Sequence, residues 1–87
     1  MLVLLVEHNA SIANNLFVNK QYLQKFANNL KLLRKKYNLT QDDLASEDIS
    51  RSMVSLIELA KTDFTATKAK AIADAMNIHV KELFDFD

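Results

Sequence analysis

The chain has 87 residues, 49% of them apolar, and no glycine, proline or cysteine, which is enough for one small core and too little for two. The missing cysteines exclude disulfide staples, thiolate nucleophiles and cysteine-ligated zinc. The missing glycines exclude the phosphate-cradling loops of nucleotide enzymes, and the lack of both glycine and proline disfavours tight-hairpin sheets, so the expected class is all-α.

Net charge is zero but unevenly spread: residues 20–61 carry eight basic against five acidic side chains, and residues 62–87 three against five. Such asymmetry suggests one face for phosphates and another for something else. The opening apolar run, 1–6, is too short for a membrane span and lacks the basic flank of a signal peptide, so a cytoplasmic protein is expected. That run reads either as a strand or as an irregular start, and 9–17 as a further helical turn. Residues 1–19 are therefore set apart as an N-terminal extension and 20–87 as the domain.

Tyr22, Phe26, Leu30, Leu33 and Tyr37 recur at intervals of four, four, three and four, the apolar stripe of a helix over 21–37. Asn38, which tolerates the left-handed conformation, can end it. Thr40 then caps a short second helix, with Asp43 in the position of a capping-box acid and Asp42 and Asp43 complementing the positive end of the helix. Leu44 and Ala45 are expected to turn inward. Ser50 caps a third helix over about 51–59, with Val54 and Ile57 facing the core. Thr65 or Thr67 opens a fourth, through Ala69, Ile72, Ala73 and Met76 to Asn77. Ile78, Val80, Leu83 and Phe84 imply a short last helix. Two short helices a few residues apart are what a helix-turn-helix requires.

The combination of Leu30, Leu33 and Arg34-Lys35-Lys36 with the segments 39–45, 50–58 and 72–78 and with Leu83-Phe84 resembles the Cro/C1-type, or XRE-like, helix-turn-helix family over about two thirds of the chain. The resemblance implies a five-helix, lambda-repressor-like domain whose third helix enters the major groove of double-stranded DNA. It places Arg51, Ser52, Ser55 and Leu56 at base edges. Arg51 is suited to the O6 and N7 of guanine or, alternatively, to a phosphate; Leu56, or Met53, could touch a thymine methyl. Thr40, Gln41, Ser50 and Lys61 are implied as phosphate contacts. Arg34 and Glu58 match an internal ion pair joining the first and third helices.

Two departures from the family pattern carry expectations of their own. The turn after Ala45 is one residue short and has no glycine, which favours an early end to the second helix. Ala60 replaces a common helix-ending glycine, so the third helix could run on by a turn.

His8 and His79 are far apart and no acid–base pair or metal-ligand spacing accompanies them, so no enzyme, cofactor or metal is expected. A transcription regulator is the leading reading, acting as a homodimer on a two-fold site, with residues 2–6, Phe84 and Phe86 as candidate dimer surface unless they complete the monomer core. The competing reading is a protein-interaction module on the same scaffold, such as an antitoxin or antirepressor, suggested by overall neutrality and by Asp42, Asp43, Glu47 and Asp48 around the turn.

Overall fold

In a computed structural model, residues 19–87 are described; the expectations for residues 1–18 lie outside them. The described chain is helical, with no strand: α1 (Lys20–Lys36), a single 3₁₀ turn (Asp42–Leu44), α2 (Arg51–Glu58), α3 (Ala66–Met76) and α4 (Val80–Leu83). Four α-helices therefore stand where five were expected, because the second helix is reduced to that one turn. No helix among the described residues is long and apolar enough to cross a membrane.

Asn19 starts α1, its side-chain oxygen accepting from the Tyr22 N–H at 3.0 Å, and Asn38 follows its end in the left-handed region at φ 57°. The inward face comprises Leu23, Phe26, Ala27 and Leu30. It is rotated from the expected stripe, whose outer members Tyr22 and Tyr37 are exposed. The rotation follows from what α1 packs against: Tyr22 and Tyr37 lie on the flank that meets the C-terminal segment, where Tyr22 stacks near Phe86 at 5.2 Å between ring centroids.

Thr40 and Asp43 form the anticipated reciprocal pair: the Asp43 carboxylate accepts from the Thr40 N–H at 2.8 Å and the Thr40 hydroxyl accepts from the Asp43 N–H at 3.2 Å. Leu44 is fully buried and Ala45 half-buried. The following turn closes without glycine because none of its residues has positive φ. Ser46 and Ile49 exchange backbone hydrogen bonds at 2.8 and 3.3 Å, and the Ile49 side chain, absent from the expected core, drops into it. Lys68 Nζ ties the same turn to α3 through the Asp48 carbonyl at 3.0 Å.

Ser50 caps α2 by accepting from the Met53 N–H at 3.1 Å. The helix stops at Glu58 and does not run on: Ala60 takes the left-handed conformation at φ 56° in place of a glycine. Of the two candidate caps for α3, Thr65 is the one used, accepting from the Lys68 N–H at 3.3 Å, and Asn77 ends the helix at φ 58°. His79 caps α4 in a box with Glu82. Leu44, Ile49, Val54, Ile57, Ala69, Ile72, Ala73, Met76 and Leu83 surround Phe26 and Leu30 to form one core, the apolar burial that sustains a domain of this size.

Candidate nucleic-acid interface

An α-helix turns by about 100° per residue, and α2 divides accordingly. Val54, Ile57 and Glu58 are buried and Met53 is half-buried against the core. Arg51, Ser52 and Leu56 are exposed on the opposite side, with Ser55 half-exposed between them. Arg51, Ser52, Ser55 and Leu56, together with Gln41, line one shallow concavity of ≈ 400 Å³. Leu56 is 40% exposed there, so an apolar side chain faces the hollow beside a guanidinium and two hydroxyls. Leu59, 54% exposed, continues the outward stripe of Arg51 and Ser55 at the same spacing of four. It was missed in the sequence because a leucine at helical spacing reads as core; its offset of four from Ser55 was the available signal.

The remaining sequence-derived residues do not line this hollow. Ser50 and Thr40 are exposed, each hydroxyl accepting a backbone N–H; that of Ser50 retains its own proton for an outward bond. Lys61 is exposed but belongs to a second concavity of ≈ 380 Å³, with Lys20, Leu23, Ala60 and Thr62. Asp42, Asp43, Glu47 and Asp48, in the turn and bend that precede α2, are all exposed. The hydrogen bonds from the Thr40 N–H and hydroxyl hold the Asp43 carboxyl below the usual carboxylate range. Among the described residues no group of three His, Cys, Asp or Glu could hold a metal ion.

A buried polar knot holds α2 at its angle. Arg34 Nε donates to Glu58 Oε2 at 2.7 Å and its Nη2 to Oε1 at 3.0 Å, while Nη1 donates to the Leu39 carbonyl at 3.0 Å. Gln41 Nε2 donates to the same Glu58 Oε1 at 3.1 Å. Glu58 is only 2% exposed, so its charge is stabilised by these donors rather than by water. The Glu58 hydrogen bond holds the Arg34 guanidinium above its ordinary value, against the opposing effect of burial. The Gln41 bond to Glu58 was not anticipated. It leaves the second amide proton of Gln41 for a partner in the hollow.

A capped one-turn element, a closed bend and a second helix with a polar outward face define a helix-turn-helix domain. A family model described as helix-turn-helix matches residues 30–83, and the chain belongs to that family, in its Cro/C1-type, XRE-like form. Searches of curated proteins and of solved structures returned no match.

Proposed function

We propose that this chain is a cytoplasmic, sequence-specific transcription regulator, a repressor, that lays α2 in the major groove of double-stranded DNA. The observation that carries this reading is the shared hollow in which Arg51, Ser52, Ser55 and Leu56 lie beside Gln41 on the solvent side of a Ser50-capped helix. In the groove Arg51 pairs with a guanine edge, the two serines offer adaptable hydrogen bonds and Leu56 packs on a thymine methyl. Thr40, Gln41, Ser50 and Lys61 grip the backbone on either side. One such domain reads few base pairs, so the active species is a homodimer whose two recognition helices enter grooves one helical turn apart. The domain comprises residues 20–87, and residues 1–19 are an extension to it.

Binding to genomic fragments across a salt series tests this. A regulator gives one strongly preferred site and a steep salt slope. Arg51→Ala then costs about 1–3 kcal/mol of preference for its base, while Lys61→Ala weakens all sites alike and lowers the slope by about one. Flat, weak binding to every fragment refutes the proposal. The four exposed acids in the turn and bend that precede α2, which repel phosphates, favour a second reading as the protein-binding scaffold of an antitoxin or antirepressor. Its signature is a stoichiometric protein complex that Leu56→Asp abolishes.

A further inference from the structure

Helix α1 contains no acidic residue. Opposite its buried face, Gln21, Lys25, Asn28, Leu32, Lys35 and Lys36 are all exposed. Among the described residues the ion pairs are Arg34–Glu58 and Lys70–Asp74, so the lysines of this face have no carboxylate partner. In their midst Leu32 is 68% exposed, the most exposed of the large apolar side chains described. This face points away from the core and includes none of the residues assigned to DNA.

The complementary surface lies beside it. Residues 82–87 run antiparallel along one flank of α1. Tyr37 Oη donates to Glu82 Oε1 at 3.4 Å and Asn29 Nδ2 donates to the Glu82 and Leu83 carbonyls at 2.9 Å. Further along, Phe84 sits 5.0 Å from the Phe26 ring and Phe86 beside Tyr22. Asp85 and Asp87 are exposed and have no ion-pair partner among the described residues. Phe84, still 38% exposed, lines a concavity of ≈ 500 Å³ with Lys81, Glu82 and Asp85.

We infer that the lysine face of α1 docks on the acidic C-terminal strip of a second copy of this chain, with Leu32 seated at Phe84 of the other molecule. The inference rests on the homodimer reading and names its surface. A two-fold axis normal to α1 reverses the direction of the neighbouring helix. Because the strip runs antiparallel to its own α1, this reversal carries Asp85 and Asp87 of one copy toward Lys35 and Lys36 of the other, twice over. An apolar contact rimmed by opposite charges is the usual anatomy of a protein interface. A DNA backbone would engage the lysines but give Leu32 nothing to pack on.

Sedimentation equilibrium of the full chain tests the interface, since every substituted side chain is exposed and circular dichroism can verify folding. The wild type should dimerise at tens of micromolar, its dissociation constant rising at least about tenfold between about 0.05 and 0.5 M salt. The pair Lys35→Glu and Lys36→Glu should weaken the dimer by about tenfold or more, and adding Asp85→Lys and Asp87→Lys should restore it to within about threefold. Leu32→Asp should leave a monomer. A dimer indifferent to all these changes overturns the interface and leaves the homodimer reading standing; a wild-type monomer overturns both. Loss of duplex binding by the Lys35→Glu, Lys36→Glu variant with no change in association assigns the lysine face to nucleic acid and overturns the inference.

Discussion

Replacing Arg34 by methionine removes three hydrogen-bond donors at once: two from Glu58 at 2.7 and 3.0 Å and one from the Leu39 carbonyl at 3.0 Å. The Glu58 carboxylate, 2% exposed, then keeps only the Gln41 amide at 3.1 Å. An uncompensated buried charge of this kind costs about 3–5 kcal/mol, a large part of the 5–10 kcal/mol or so that holds such a domain folded. At about 4–8 °C per kcal/mol for a domain of this length, the melting temperature should fall by more than about 12 °C. The double variant Arg34→Met, Glu58→Met removes both charges and should recover most of the loss, because an apolar pair in that space needs no partner. Urea denaturation of the wild type, both single variants and the double variant forms a thermodynamic cycle that isolates the coupling. A cost below about 1 kcal/mol for Arg34→Met, or a double variant no more stable than the worse single one, would refute the view that this pair clamps α2 to α1.

Ala60→Gly should stabilise the domain by about 1 kcal/mol, read as a higher melting temperature, because an alanine Cβ is disfavoured at φ 56°; unchanged stability would mean that the backbone there is not left-handed. Asp43→Asn should destabilise at neutral pH and converge with the wild type in acid. The folded carboxyl is held below its unfolded value, so its contribution is fully present above the ordinary carboxylate range and is lost as pH falls from that range through the lowered folded value; a constant difference at all pH values contradicts this. Ile49→Ala should cost about 2–5 kcal/mol by opening a cavity beneath the bend, and denaturation showing less than about 1 kcal/mol would remove Ile49 from the core.

The helices themselves were legible because their signals are local. Ser50 and Thr65 cap by reaching amides three residues on, and Asn38 and Asn77 tolerate positive φ; such interactions need no knowledge of distant chain, whereas the Asn19 cap of α1 was seen only in the structure. The family resemblance carried by the segments 39–45 and 50–58 implied the outward residues of α2 and the pairing of Glu58 with Arg34. Tertiary structure alone decided which flank of α1 faces inward, because that depends on the C-terminal segment returning along it to meet Tyr22 and Tyr37. It decided that Ile49 belongs to the core and that Gln41 shares Glu58 with Arg34, since both follow from where the glycine-free bend carries the chain. It also decided that α2 ends at Glu58: the strain of Ala60 in a left-handed conformation is a local cost, and only the packing of α3 beyond it, anchored by Ala69 and Ile72 in the core, supplies the reason to bear it.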